Sequence, residues 1–384
     1  VQIVEFTADS LRFSDTLPAQ APSDGFVWVF MDRPEVETQE HLLQLAAQQL
    51  GGSVLLDLHS QDLGNAGHCS HYDYTSIYDL IIFRRLATPL ETRLDREQEA
   101  AVEQYHGQGG EPYIKPRGGL PAFNRINSKA VGFVVFDRLL ISVHPRGCYT
   151  ATNFIERALS DAKFSVDSVS ARNRMPSSPA DLVLRMVNTM VDSYIDVRKE
   201  LTQQLEHWQA ELLKPNSRFI NWGSLMSARS QLHVLEDLCD EQHDAMQEWL
   251  DSLREQPMSS FAADTQLAHT RRDQLVARAR DVIEHIQRVV HHARRLEQSA
   301  ETVVQIHFSA QSNRTNSIMR TLTALTAIFL PLNLITGFFG MNFEFMPLIH
   351  SADGFWWVFG AMILLVIVVV MVFWRKQYLA RTAR

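Results

Sequence analysis

The run TLTALTAIFLPLNLITGFF (321–339), the tripeptide Gly340-Met341-Asn342 and the run FWWVFGAMILLVIVVVMVFW (355–374) together decide the fold. The second run is twenty residues without a charge, about 30 Å as a helix, which matches the hydrocarbon thickness of a bilayer. The first is also uncharged but carries Thr323, Thr326, Asn333 and Thr336, more polar content than a lipid-facing helix has use for. Two spans are therefore expected, the first with a polar stripe that suits water or an ion. Arg314 and Arg320 precede the first span and Arg375, Lys376, Arg381 and Arg384 follow the second, whereas the loop between has no basic residue and carries Glu344 and Asp353. Positive-inside reasoning places both termini in the cytoplasm and the loop outside. Trp356, Trp357 and Trp374 stand at the ends of the second span, where interfacial aromatics belong.

Upstream, no glycine occurs from Ser224 to Thr336 and no proline between Pro257 and Pro331. One helix is expected from near Asp264 into the membrane, about 110 Å at 1.5 Å per residue. Leu275, Val282, Val289, Leu296 and Val303 fall seven apart, and Ala279, Ile286, Ala293 and Ala300 fill the alternate seam, a pattern for close packing in a bundle. The seam needs partners, and two spans cannot enclose a pore, so a homo-oligomer is implied. A helical pair is read at 180–213 and 223–254. The first helix has Leu184, Val187, Val191, Tyr194, Leu201, Leu205, Trp208 and Leu212 on one face. The second is acidic (Glu236, Asp237, Asp240, Glu241, Asp244, Glu248, Asp251), and the long helix is locally basic (Arg271, Arg272, Arg278, Arg280, Arg288, Arg294, Arg295). Two readings stand: the helices offset each other's charge, or the acids collect cations. The N-terminal part reads as α/β, with strands at 26–32 and 78–86, a helix at 39–50 and a hairpin at 131–136 and 139–143.

On the first span Asn316, Met319, Leu322 or Thr323, Thr326, Leu330, Asn333 and Gly337 share one stripe. Its polar steps suit a narrow pore in which Met319 and Leu330 close by dewetting; the competing reading is helix–helix packing, favoured for Thr336. At Asn342 a ring of amide carbonyls, one per subunit, can hold a hydrated dication through its waters and still release it. Gly340 would allow a backbone turn, positive φ among its options, and Met341 would pack the loop. Glu344 either enriches cations at the outer mouth or is a solvated loop acid.

The stretch from Ser312-Asn313-Arg314-Thr315-Asn316 through Ile328-Phe329-Leu330-Pro331 to Gly340-Met341-Asn342-Phe343-Glu344-Phe345-Met346-Pro347 resembles the signature of the CorA divalent-cation channel family. The resemblance implies a homopentameric funnel: an α/β cytosolic domain (1–175), a cytosolic helical pair (176–256) and a long stalk helix (257–317). That stalk is continuous with a pore helix (318–339), followed by an external loop with the tripeptide (340–354), a second span (355–374) and a basic cytosolic tail (375–384). It also implies that Gly340, Met341 and Asn342 form the selectivity filter and that Mg²⁺, with Co²⁺ and Ni²⁺, is the substrate. Asp281 and Glu284 stand where the family places cytosolic metal-sensing carboxylates, so a divalent cation is the implied regulator as well; a salt bridge with Arg278, Arg280 or His285 explains both acids equally well. Leu348 stands where relatives often carry an acid, and Gln305 where some carry another. Phe329-Leu330-Pro331 and Thr336-Gly337-Phe338-Phe339-Gly340 also resemble the ZntB zinc-transporting branch, which usually replaces the middle Met of the tripeptide. A membrane-anchored coiled-coil scaffold is the reading without transport.

The formal net charge of −8 argues against nucleic acid as a partner. Cys69, Cys148 and Cys239 have no paired spacing and are expected reduced. No secretory-signal pattern opens the chain, and Val1 in place of Met suggests a trimmed start. His68-Cys69-Ser70-His71 with Asp73 offers soft ligands but matches no standard zinc spacing, so it is read as a surface loop. The segment 88–128 is read as an inserted loop; its Gly107-Gln108-Gly109-Gly110 lacks the setting of a phosphate loop. No nucleophile–base arrangement is defensible, so neither an enzyme nor a catalytic cofactor is expected. The partners expected are further copies of the chain, the lipid bilayer (a bacterial inner membrane) and divalent ions.

Overall fold

A computed structural model of the chain describes residues 1–7, 10–88, 91–92, 126–147, 151–152, 154–156, 175–212, 222–255, 265–341 and 353–375. The Gly107–Gly110 run, Cys148, Asn342, Glu344 and the residues after Arg375 lie outside the described set. Two compact units divide it, Val1–Thr302 and Val303–Arg384.

The first unit is built on a seven-stranded mixed sheet, ordered β2-β1-β3-β7-β6-β5-β4. Its strands are β1 (Gln2–Thr7), β2 (Leu11–Ser14), β3 (Gly25–Asp32), β4 (His71–Tyr74), β5 (Asp79–Leu86), β6 (Ser128–Val135) and β7 (Leu139–His144). Among the described strands only β3 and β7 pair in parallel. The stretches read as strands in the sequence are β3, β5 and the β6–β7 hairpin; β1, β2 and β4 were not foreseen. Phe26 to Met31 are all buried, which is why β3 reads as a continuous apolar run rather than an alternating one: both sheet faces are covered. On one face Val27, Val29 and Met31 pack with Leu43 and Ala46 of α1 (Glu40–Ala46) and Leu63 of α2 (Asp57–Gly64). On the other face Trp28 donates to Ser142 Oγ (2.8 Å), which in turn pairs with His144 Nε2 (2.9 Å).

Two 34-residue helices follow, α3 (Pro179–Leu212) and α4 (Trp222–Glu255). The apolar face expected on α3 is buried from Leu184 to Trp208. Trp249 of α4 donates to Asp79 Oδ2 of β5 (3.2 Å), and the Tyr72 hydroxyl donates to Asp79 Oδ1 (2.9 Å), so one buried carboxylate ties α4 to the sheet. Next comes α5 (Thr265–Phe339), 75 residues long.

Its heptad positions Ala279, Val282, Ile286, Val289, Ala293, Leu296 and Ala300 are all buried within the single chain. Across the seam Tyr194 of α3 bonds to His292 Nδ1 (3.0 Å), and Arg294 binds Glu236 (2.6 Å) and Asp240 (3.1 Å) of α4. The seam thus finds its cover on the chain's own helical pair. This corrects the expectation that it needs other subunits, and the case for an oligomer rests on the spans and on the family resemblance. Charge offset between the acidic and basic helices is realised at Arg294, while Arg278 reaches Asp181 of α3 (3.1 Å).

In the second unit α5 continues through Pro331, whose missing N–H is tolerated within a membrane-length helix. The last described helix, α6 (Gly354–Arg375), is, like α5, long and apolar enough to cross a bilayer.

Candidate functional site: the distal half of the long helix

The site is the segment of α5 from Asn316 to its end at Phe339 and the turn beyond. Asn316, Met319, Leu322, Thr323, Thr326, Leu330, Asn333 and Gly337 are all exposed in the single chain, with Met319 at 57% and Leu330 at 67%. Exposure does not select their face, because Ile318, Leu325, Phe329, Leu334 and Phe338 are exposed as well. Chemistry separates them better. The hydroxyl of Thr323 donates to the carbonyl of Met319 (2.8 Å), that of Thr326 to Leu322 (2.9 Å), and that of Thr336 to Leu332 (3.0 Å). Backbone carbonyls one turn back therefore absorb these hydroxyls. Each hydroxyl thereby uses its proton but keeps its lone pairs for water or a cation, so these bonds suit a packed interface, as read for Thr336, and a pore face at Thr323 and Thr326 alike.

Asn333 differs. Its amide makes no hydrogen bond among the described residues, although it lies one turn and a half from the end of α5. An amide with two donors and an acceptor cannot be absorbed by the helix backbone as a hydroxyl is. In hydrocarbon such a group costs about 2–7 kcal/mol, so it demands water, an ion or a neighbouring helix.

At the end of α5 the N–H of Gly340 bonds to Thr336 O (2.9 Å) and that of Met341 to Phe338 O (3.3 Å). Positive φ is confined to Gly52 and Gly147 among the described glycines, so the left-handed backbone considered for Gly340 is not adopted. Glycine still fits, because a Cβ at 340 would stand 3.0 Å from the Thr336 carbonyl oxygen.

The two candidate sensing acids lie in the first unit and are already engaged. Glu284 takes Arg288 at 2.8 Å, and the hydrogen bond and charge of that guanidinium hold its carboxyl below the usual range. Asp281 stands 3.8 Å from His285, whose Nδ1 is 3.5 Å from Asp192 of α3. Arg288, the partner of Glu284, was missed, although its position four residues on was a readable signal. Of the donors around the His68–His71 run, Cys69 is exposed and free, and Asp73 is turned to His59 (3.1 Å). Buried Cys239 is likewise unpaired.

An α/β unit in one chain with two helices long and apolar enough to cross a bilayer, the first of them α5 itself, is the architecture of a membrane-spanning protein. A model of the CorA-like Mg2+ transporter protein family matches residues 120–376, more than half of the chain, and the chain belongs to that family. It is 32% identical over 100 residues to the cobalt/magnesium transport protein CorA of Thermotoga maritima; the aligned stretch is 26% of this chain and 28% of that protein. The match thus spans less than a third of the relative's length. The complete CorA magnesium transporter structure from Methanocaldococcus jannaschii superposes with a TM-score of 0.69 at 15% identity, covering 97% of each chain. The ZntB cytoplasmic domain from Vibrio parahaemolyticus gives 0.50 at 13% identity, covering 82% of this chain and 98% of that one. Both likenesses bear on the fold.

Proposed function

We propose that the chain is one subunit of a homopentameric channel that passes divalent cations into the cytoplasm down their electrochemical gradient. Mg²⁺ is the first substrate, with Co²⁺ and Ni²⁺ also permeant. The observation that carries this reading is the family match, which takes in both bilayer-length helices and the tripeptide between them. Gly340, Met341 and Asn342 serve as the filter, the Asn342 amides holding the ion through its water shell, with Glu344 at the outer mouth. Asn316, Met319, Leu322, Thr323, Thr326, Leu330, Asn333 and Gly337 line the path, and the unpartnered Asn333 amide supports that assignment. An inside-negative potential favours entry of a dication by about 4.6 kcal/mol per 100 mV, twice the value for one charge, so no nucleotide is needed. The protein sits in a bacterial inner membrane with both termini cytoplasmic.

Asp281 and Glu284 sense cytosolic metal in this reading, bridging subunits through a bound dication that holds the pore shut. The metal must then displace His285 and Arg288 from them, which predicts a weak sensor, responsive only at high ion concentration.

Zinc transport is the second reading, favoured by the Phe329-Leu330-Pro331 and Thr336–Gly340 stretches. A panel of Mg²⁺, Co²⁺, Ni²⁺ and Zn²⁺ uptake into vesicles, with and without an imposed pH gradient, tests both. Potential-driven Mg²⁺ uptake indifferent to the pH gradient supports the channel; uptake restricted to Zn²⁺ and dependent on protons replaces it with the second reading.

A further inference from the structure

Asp62 near the end of α2, His68 in the following loop and His71 at the start of β4 place one ligand atom each within 4.8 Å of the others. The sequence run His68-Cys69-Ser70-His71 with Asp73 matched no standard zinc spacing; folding brings in Asp62, six residues upstream of His68. Two ligands about 2.05 Å from a tetrahedral ion stand about 3.3 Å apart, and His68 Nε2 lies 3.4 Å from Asp62 Oδ1. The two imidazoles stand with centroids 4.5 Å apart, and one nitrogen of each lies within 4.8 Å of the other and of an Asp62 oxygen.

The hydrogen bonding around the cluster favours a cation there. His68 Nδ1 lies 2.9 Å from the Cys69 carbonyl oxygen, which can only accept, so Nδ1 carries the proton. In the neutral ring the lone pair is then on Nε2, facing a carboxylate oxygen, and two acceptors at that distance repel unless a cation or a second proton lies between them. A histidine ligand held in one tautomer by a bond from its other nitrogen is the usual second layer of a metal site. His71 Nδ1 is buried without a hydrogen-bond partner, so this ring has a nitrogen that no protein group uses.

The loop is also braced rather than slack. Arg84 of β5 donates to the carbonyls of Ala66 (3.2 Å) and His68 (2.9 Å), and its own N–H bonds to Ser70 Oγ (3.1 Å). The Ser70 N–H bonds to Glu241 of α4 (3.2 Å), so the loop is fixed from two sides. The second cluster of this kind, His233, Glu236 and Glu297, lacks the same freedom because Arg294 already holds Glu236 at 2.6 Å.

We propose that Asp62, His68 and His71 form a binding site for a first-row transition-metal dication, with water as the fourth ligand. Imidazole nitrogen with one carboxylate suits Zn²⁺, and Co²⁺ or Ni²⁺ after it, whereas Mg²⁺ prefers an all-oxygen shell. The site lies in the first unit and can be read without any ion flux, so its test and that of the transport reading fail separately.

The test is Zn²⁺ competition against a chromophoric chelator on the purified full-length protein. Wild type is compared with His71→Ala and with the milder His68→Gln, and each variant's thermal midpoint is checked without metal. Co²⁺ is then substituted, because a tetrahedral Co²⁺ site absorbs strongly in the visible whereas a hydrated ion at the filter remains octahedral and pale. The expected result is about one Zn²⁺ per chain, at least tenfold weaker in either folded variant, with a tetrahedral Co²⁺ spectrum that both variants lose. Equal Zn²⁺ affinity in wild type and in a folded His68→Gln protein, or a Co²⁺ spectrum unchanged by it, overturns the site and leaves an ordinary Asp62–His68 ion pair.

Discussion

Replacing Asn333 by leucine probes the proposed pore face through the one polar side chain of the run 321–339 that makes no hydrogen bond among the described residues. Along the stripe Thr326, Leu330, Asn333 and Gly337 follow at intervals of four, three and four residues. With 1.5 Å per residue, Leu330 now sits inside a dry step of about 10 Å, from Thr326 to Asn333. Leucine at 333 extends that step to Gly337, about 16 Å, three helical turns without a group to replace lost hydration. A dication that conducts through its water shell cannot cross such a gap at the wild-type rate, and we expect uptake into proteoliposomes to fall at least tenfold, about 1.4 kcal/mol or more of added barrier. Asn333→Gln, which keeps the amide, retains most of the flux. If Asn333 instead faced lipid or a helix interface, leucine would remove an unsatisfied amide worth about 2–7 kcal/mol in hydrocarbon. Thermal stability would then rise and uptake would be unchanged; that pair of results refutes the assignment.

Two further predictions concern the first unit. Ile286 is fully buried, so Ile286→Ala should destabilise the full-length protein by about 2–5 kcal/mol in thermal unfolding followed by Trp249 fluorescence, while exposed Glu301→Ala stays within about 0.5 kcal/mol; equal effects would mean the seam is not packed on its own chain. Glu91 accepts from Arg85 at 2.8 and 2.6 Å and from the Thr88 N–H at 2.8 Å; burial pushes its pKa up, but these bonds and the guanidinium charge outweigh it and hold the carboxyl below its ordinary value. Because the folded-state pKa is depressed, this stabilisation is present above the ordinary Glu value of about 4.3 and is lost as pH falls below it. Glu91→Gln, which strands a buried guanidinium, should lower stability by about 3–5 kcal/mol at neutral pH and by less in acid; a loss that does not shrink on acidification contradicts the assignment.

How much of this was legible in the sequence depended on whether the signal was local. The heptads of α5 and the apolar face of α3 are periodic, and burial follows them from Ala279 to Val303 and from Leu184 to Trp208, with Leu275 half-buried. The strand β3 announces itself because both its faces are covered. Short elements such as β2 (Leu11–Ser14) and α2 (Asp57–Gly64) carry too few apolar positions to show a period, and the latter opens with Asp57 and contains His59 and Asp62. The partner of the α5 seam was misjudged because a heptad states that a helix is covered and not by which chain. Composition weighs the span threonines as fully polar, whereas each donates its proton to the helix backbone and keeps only its lone pairs for water or an ion. At the cluster of Asp62, His68 and His71 the missing information was Arg84, whose side chain shapes the loop from a neighbouring strand.

The most direct measurement is potential-driven Mg²⁺ uptake into sealed vesicles by the wild-type protein and by Asn342→Ala, at equal amounts of inserted protein. The account predicts uptake that grows with inside-negative potential in wild type and that collapses, or loses its discrimination among cations, in the variant. Identical uptake by both proteins, or none by either above empty vesicles, would contradict it.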